Sequence, residues 1–588
     1  MPRHKLIVGL DYGTTFTGVS FVPSNKASAK DIHVVRTWPE KDGEWKVPSR
    51  IAYPYENEKY ELGSTQWGFQ VQPELKACSW TKLLLDSKTP ATQYDDPNLR
   101  TAKADGHLHL PSGKGAQQVA ADYLGEVYSY VRDRIRKHIG DTFDSTPVEC
   151  WVTVPAVWSE QAQSATRSAA LQAGFGARPG DSINIITEPE AAGVTVIDEI
   201  TRSNTIIKPK QGENVMICDC GGGTVDIISY TIRQVSPYPT FAEVCEGIGA
   251  KCGSTSIDRE LDKLLVRRFG SAWKSVKASR RGNFLRRWED VKKSFNGDTN
   301  GRPQRLGPVF MDGVPNSEFY DDEDGFVLLS GKDIKDVFDP TVEQVIGLVE
   351  QQRDMIRAQG KRLDRLVLVG GFGDSPYLYQ RLKDWCQRNG GISAYCPEHP
   401  QAAIVTGAAL RGLLNMSPES KKCRKHYGCP IGMKFREGID PKDKLYYPHY
   451  GWDAMCSNRM MWLVKKALGF LKGDDITKDT IRKHPYRSEQ RKKDKDKDET
   501  LQLCSSNSDV PPEHVEDDSV DIVGSIHLDL NGVDISKYKA RREFWIIGSK
   551  YLEIPVDVQV HFGSKTGRFQ VDGVCEGEIT GTATIEYE

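Results

Sequence analysis

"MICDCGGGTVDIISY", residues 216–230, decides how this chain is read. An apolar run ends at Asp219, three glycines and Thr224 follow, Asp226 comes next, and a second apolar run resumes. Two apolar runs joined by a tight turn predict a β-hairpin. Consecutive glycines in such a turn cost backbone entropy and bury no side chain, so packing does not account for them. They predict that something approaches the backbone closely.

The same plan occurs once more. "LIVGLDYGTTFTGVSFV", residues 6–22, again reads as apolar strand, aspartate, Gly/Thr turn and returning strand. Asp11 and Asp219 are 208 residues apart (219 − 11), far beyond any solenoid period, so the repetition predicts two related lobes with a cleft between them. Glycine turns let successive N–H groups form an anion cradle, and a threonine hydroxyl adds a directional donor, so the expected guest is a phosphate. Carboxylates beside a polyphosphate repel it without an intervening cation, and hydrated Mg2+ suits them.

Other phosphate chemistries fail on the residues. A phosphoaspartate site of the DxDxT type needs an acid where Gly13 stands, and GxxxxGK[ST] does not occur. "GGFGDSP" begins a dinucleotide fingerprint at Gly371, but Pro376 occupies the last glycine position.

At 588 residues, with 38% hydrophobic and 27% charged residues and a net charge of -2, the chain predicts several folding units without a whole-chain nucleic-acid signature. The run Leu6 to Leu10 is too short for a signal-peptide core, and no apolar stretch is long enough to span a bilayer. The expectation is cytoplasmic, with no membrane and no nucleic acid as partner. Thirteen scattered cysteines, an odd number, argue against a disulfide framework, and there is no CxxC pair. Cys218 and Cys220 are expected on one face of a buried strand, and His107 and His109 in a short strand or loop rather than at a metal. "DDEDG" at 321–325 lacks the remaining ligands of a calcium loop.

Strands and helices alternate through the first 414 residues, which argues for α/β layers. Val119, Tyr123, Val127, Val131 and Ile135 recur every four residues and predict an amphipathic helix. "VECWVTVPAVW" at 148–158 reads as a buried strand; Ser159 and Gly174 then bracket a helix. Further helices are expected near 256–270, 280–295 and 333–359, and a closing helix at 400–414. Beyond residue 414 strand-like alternation takes over, as in Ile554, Val556, Val558, Val560 and Phe562. "RKHPYRSEQRKKDKDKDET" at 482–500 mixes both charge signs and reads as a solvated loop.

With these motifs quoted, the chain resembles the actin, sugar-kinase and heat-shock ATPase superfamily, and within it an atypical, divergent member of the heat shock protein 70 family. "GLDYGTTFTGVSF" looks like the first phosphate motif, "CDCGGGTVDIIS" the second, "IITEPEAAGV" the connecting motif and "LVLVGGFGDSPYL" the adenosine motif. The resemblance implies an α/β fold with a duplicated two-lobe actin-like ATPase, its lobes ribonuclease H-like, followed by a smaller β-rich C-terminal domain. The ATPase would occupy 1–414, with lobe I at 1–212, lobe II at 213–370 and a return to lobe I at 371–414. A linker would cover 415–424 and the β-rich domain 425–588, with a charged loop at about 482–518.

The resemblance also implies site residues. Gly13, Thr14 and Thr15 would clasp phosphates from one lobe, and Gly221, Gly222, Gly223 and Thr224 from the other. Asp11 and Asp219 would hold Mg2+, Asp226 would orient metal-bound water, and Glu188 and Lys82 would position and stabilise the attack on the γ-phosphate. Glu289, Lys292 and Lys293, one face of a helix, would sandwich adenine, and Gly253, Gly370 and Gly371 complete the cofactor-binding set. The implied cofactors are ATP and Mg2+, the implied activity ATP hydrolysis coupled to client protein segments, with co-chaperones as partners. A nucleotide-binding scaffold with little hydrolysis and a small-molecule kinase are the competing readings. The sequence departs from the family at Phe372 and Asp374, where a serine and an arginine flank the nucleoside, at Gln401 for an acidic residue, and at Gln163 for a switch arginine.

Overall fold

The structure is a computed structural model. It describes the chain except for residues 1–3, 27, 87–92, 94, 96–107, 157, 203–207, 236–238, 277, 448–452, 467–468, 472–474, 486–498, 529–536, 538–540, 545–546, 562–569, 576–577 and 585–588. The chain divides into two compact units, Met1–Pro418 and Glu419–Glu588.

The first unit is mixed α/β. Strands β1 (Leu6–Tyr12) and β2 (Phe16–Pro23) form the first hairpin, and β3 (Val148–Val154) and β4 (Ser182–Thr187) extend the sheet in parallel beyond β1. All seven residues of β1 are buried, as expected of a strand covered on both faces. A second sheet repeats the order and directions: β5 (Asn214–Cys220) and β6 (Val225–Gln234) make the hairpin, β7 (Thr240–Glu243) flanks β6, and β8 (Arg365–Val369) and β9 (Ser393–Tyr395) run parallel beyond β5. Cys218 and Cys220 share one face of β5, their Sγ atoms 3.6 Å apart in the core.

Helices cover these sheets where periodicity places them. Helix α1 (Ala116–Ile139) buries all five residues of the four-spaced stripe. In α2 (Glu160–Ala173) the Ser159 hydroxyl accepts from Ala162 N–H, and Gly174 ends the helix at φ +113°, the conformation that favours glycine. Helix α3 (Glu188–Arg202) starts directly after β4. Helices α4 (Thr255–Phe269), α5 (Ala278–Ser294) and α6 (Gly331–Ala358) build the second lobe, and α5 ends before Asn296.

The return to the first lobe comes later than the expected residue 371. Helix α7 (Pro376–Arg388) buries Leu378, Leu382 and Trp385 in the second-lobe core, and β9 then pairs with β8. A strand, helix and parallel strand form one crossover that cannot be divided between sheets. Only α8 (Ala403–Leu414) returns, and its buried face joins residues of β1, α3 and β5 in one core.

The α3–α8 contact depends on a missing side chain. A Cβ on Gly407 would lie 1.8 Å from the Ala191 carbonyl oxygen, so backbone meets backbone there. Gly407→Ala is expected to destabilise the first unit by about 3 kcal/mol, the upper range for overpacking. Urea denaturation should show a lower midpoint at an unchanged slope.

Among its described residues the second unit is built of strands and short turns. One sheet contains His426–Lys434, Met455–Val464, Glu499–Ser506 and Val520–Leu528; the other contains Asp475–Pro485, Ile547–His561, Gln570–Cys575 and Glu578–Thr584. Leu501, Ile526 and Leu528 of the first share a core with Val556, Val558 and Val571 of the second. Two expectations change. Residues 420–422, taken as linker, form a strand paired with Gly469–Leu471. The charged stretch 482–518 is not one loop: 482–485 continue a strand paired with Tyr551–Ile554, 499–506 form another, 507–518 are turns and loop, and 486–498 lie outside the described residues. Charge content does not exclude a strand when its backbone completes a neighbour's ladder.

Candidate active site

The two glycine turns close in the same way. Gly13 N–H donates to Phe16 C=O at 3.1 Å, and Gly221 N–H donates to Thr224 C=O at 2.9 Å. The turns also abut. A Cβ on Gly222 would lie 2.1 Å from Thr15 Oγ1, and one on Gly223 would lie 2.4 Å from Thr14 Oγ1. This explains Gly222 and Gly223, because a side chain at either would force the turns apart, whereas a Cβ on Gly221 would meet only the Thr224 carbonyl of its own turn, at 3.2 Å.

A cavity of about 250 Å³ lies at this junction, within reach of the small end of ligand pockets. Both turns line it, with Asp11, Asp219, Lys82 and Glu188 between them and Glu289, Lys292, Lys293 and Gly371 farther along the wall. Three expected residues stand behind this surface. Gly253 backs the second turn, its N–H donating to Gly223 C=O at 3.2 Å. Gly370, at φ +87°, leaves room for Asp219, whose Oδ1 would lie 2.4 Å from a Cβ there. Asp226 pairs in register with Asp219 and accepts from Ala156 N–H of the first lobe at 2.9 Å.

The electrostatics are those of a site short of positive charge. Asp11, Asp219, Asp226 and Glu188 are all buried. Two ammoniums answer them: buried Lys82 pairs with Glu188, and partly exposed Lys46 lies 2.5 Å from Asp11. Burial pushes the Glu188 carboxyl up to about 7, with Lys82 opposing and Asp11 and Asp226 reinforcing. Asp219 is raised well above the usual carboxylate range by burial, then by Glu188, Asp226 and Asp11. Its Oδ1 is buried without a hydrogen-bond donor. A buried carboxylate oxygen with no donor, among excess acids, fits a divalent cation.

Lys46 is the main residue that sequence reasoning missed. Its stem crosses Gly18, which is register-paired with Asp11; a Cβ on Gly18 would lie 3.3 Å from Lys46 Cγ. A glycine inside a strand marks such a close approach, and Gly18 was the available signal. Ser49 was missed as well: its hydroxyl donates to Gly13 C=O and its N–H to Thr15 C=O, both at 2.8 Å, and so fixes the first turn. Thr153 Oγ1 donates to Asp11 Oδ1 at 2.9 Å.

Comparison with known proteins identifies the family. A profile of the family described as "Hsp70 protein" matches residues 7–422, more than half of the chain. The chain belongs to the Hsp70 family. The human protein "Heat shock 70 kDa protein 12A" is 24% identical over 524 residues, 75% of this chain and 74% of that one. The human "Heat shock 70 kDa protein 12B" is 24% identical over 526 residues, covering 75% and 73%. The "Chaperone protein DnaK" of Thermoplasma volcanium is 22% identical over 288 residues, 49% of this chain and 43% of its own. At these identities the protein is an atypical, divergent Hsp70. The family implies a two-lobe actin-like ATPase fold and a general chaperone-like ATPase character.

The residues expected to meet the nucleoside lie along the far wall of the cavity. Lys292 is held by Asp258 at 2.9 Å and by Glu289 at 2.8 Å, whereas Lys293 is exposed. Phe372, Asp374 and Gln401 line the wall, and burial raises the Asp374 carboxyl against the opposing charges of Lys293 and His399. Trp45 also lines it and meets the His399 ring in a tilted contact, ring centroids 4.5 Å apart. Gln163 lies elsewhere, its amide donating to Trp158 C=O. Among the described residues, no helix is long and apolar enough to cross a membrane.

Proposed function

We propose that this Hsp70 relative binds Mg-ATP between its two lobes and hydrolyses it, using a duplicated pair of phosphate-binding turns. The observation that carries this reading is the contact of the two turns, Thr14 and Thr15 against Gly222 and Gly223, over one acidic cavity. Gly13 to Thr15 and Gly221 to Thr224 would cradle the phosphates through backbone N–H groups and hydroxyls. Asp11 and Asp219 would hold Mg2+, which, when bound, supplies charge neutralisation to the phosphates. Lys82, fixed by Glu188, places an ammonium where negative charge develops, while Glu188 orients water and Asp226 fixes the hairpin beside Asp219. Glu289, Lys292, Lys293, Gly370, Gly371 and Gly253 would shape the nucleoside end. Calorimetric titration of ATP with and without Mg2+, followed by phosphate release on the same sample, tests the reading. ATP at 100 times its Kd should stabilise the protein by about 2.7 kcal/mol; no binding and no release would overturn it.

One observation favours a second reading, a nucleotide-gated scaffold with slow turnover. Lys46 already pairs with Asp11, one of the two carboxylates assigned to the metal. Binding with stabilisation but without phosphate release would select it. On either reading Lys46 supplies charge to the phosphate end, and Lys46→Ala should weaken ATP by about tenfold, the worth of a charge-assisted hydrogen bond. Calorimetry checks this, with a steeper Mg2+ dependence expected.

The β-rich unit is proposed to bind client protein segments under control of the ATPase, with co-chaperones as further partners. A cytoplasmic location suits thirteen cysteines of which twelve are buried.

A further inference from the structure

Outside the cleft, three residues from separate parts of the first unit converge. Glu56 ends a short 3-10 turn (Pro54–Glu56), Cys78 begins the strand Cys78–Ser79, and His109 lies in the segment leading toward α1. His109 Nε2 faces Glu56 Oε1 at 2.9 Å and Oε2 at 3.0 Å. One ligand atom from each of the three, the Cys78 sulfur included, lies within 4.8 Å of the other two. We propose that Glu56, Cys78 and His109 form a zinc site with solvent as fourth ligand, clamping the turn, the strand and the segment together.

The chemistry selects the metal. A thiolate, an imidazole and a carboxylate are ligands of zinc, whereas Mg2+ and Ca2+ take oxygen sets. Tetrahedral zinc holds such atoms about 3.3–3.6 Å apart, so the three need only close slightly on the ion. Charge balances: the Cys78 thiol releases its proton to solvent on binding, and thiolate plus Glu56 carboxylate neutralise Zn2+. Cys78 is 1% exposed, while the His109 side chain is 22% exposed, leaving water a path to the fourth position. Lys76 Nζ lies 2.8 Å from Glu56 Oε1, but its side chain is 56% exposed and can turn to solvent. Lys114 belongs to Asp122 instead.

A second cluster shows by contrast what a site without room for a cation looks like. Asp440, Cys456 and His514 are similarly close, but Arg436 already sits 2.6 Å from Asp440 and Arg459 3.6 Å away. Two guanidiniums occupy the charge that a metal would need. The site at Glu56 runs against the sequence expectation that His109 belongs to a simple loop, because its ligands come from three distant stretches and form no short motif.

The test uses the full chain without nucleotide, treated with chelator and titrated with zinc chloride or cobalt chloride. One equivalent of Zn2+ should be retained through dialysis and raise the melting temperature, and Co2+ should give a sulfur-to-cobalt charge-transfer band. Cys78→Ser and His109→Gln should each weaken Zn2+ beyond the roughly 10–100-fold that supporting residues cost. Cys396→Ser should leave binding unchanged. Should Cys78→Ser fail to fold, His109→Gln, changed at a partly exposed position, carries the test. No retained equivalent, or a cobalt band and zinc affinity unmoved by His109→Gln, would overturn the site.

Discussion

Asp219→Asn is expected to reduce phosphate release by at least about 100-fold while making the nucleotide-free protein more stable, by about 1–2 kcal/mol. The two effects have one cause. Asp219 is 2% exposed, one of its oxygens has no donor, and burial together with Glu188, Asp226 and Asp11 raises its pKa well above the usual range. A charge held there without a cation is unfavourable, and an amide removes it. The same amide is a poor metal ligand, so the charge that costs stability in the empty protein is the one proposed to hold Mg2+. Phosphate release and thermal unfolding on one preparation check both. Undiminished release, or a lower melting temperature, would contradict the assigned role.

Lys82→Ala should have the largest effect on stability, about 3–5 kcal/mol when Glu188 is charged, because breaking a buried ion pair leaves the surviving charge uncompensated. Lys82 is 2% exposed, paired with Glu188, and lies 5.2 Å from the Trp158 ring. The cost should depend on pH. In the intact protein the Glu188 carboxyl is already pushed up to about 7 by burial, despite Lys82. An acid raised in the folded state binds more protons folded than unfolded, so its contribution to stability falls as pH rises. Without Lys82 the folded pKa rises further, and that fall continues to higher pH. The deficit should therefore be larger at about pH 8.5 than at about pH 6, where protonation neutralises the carboxyl. Adding Glu188→Gln should remove the pH dependence and restore most of the stability without restoring phosphate release. Urea denaturation at the two pH values checks this.

The cleft was legible because its residues lie in short runs. The plan of strand, aspartate, Gly/Thr turn and strand is local, and Asp11 with 13–15 and Asp219 with 221–224 line one cavity. Lys46 was not legible, because reaching Asp11 depends on which strand β2 pairs with and on Gly18 leaving space for a lysine stem. The late return of the chain to the first lobe was misread for a related reason: a glycine turn marks a change of direction but not the sheet that receives the next strand. Strands in 482–518 were missed because composition describes side chains, whereas a ladder is made by backbone groups.

By itself the sequence determined the alternation of elements, the two hairpins and the carboxylate heading each turn, since periodicity, glycine and short-range spacing act over a few residues. Only the tertiary structure decided which charges neutralise which. The pairs Lys46 with Asp11 and Lys82 with Glu188, and the gathering of Glu56, Cys78 and His109, span 35, 106 and up to 53 positions. Interactions at such separations are set by how sheets and loops pack, and a buried charge takes its energy from the neighbours that packing supplies.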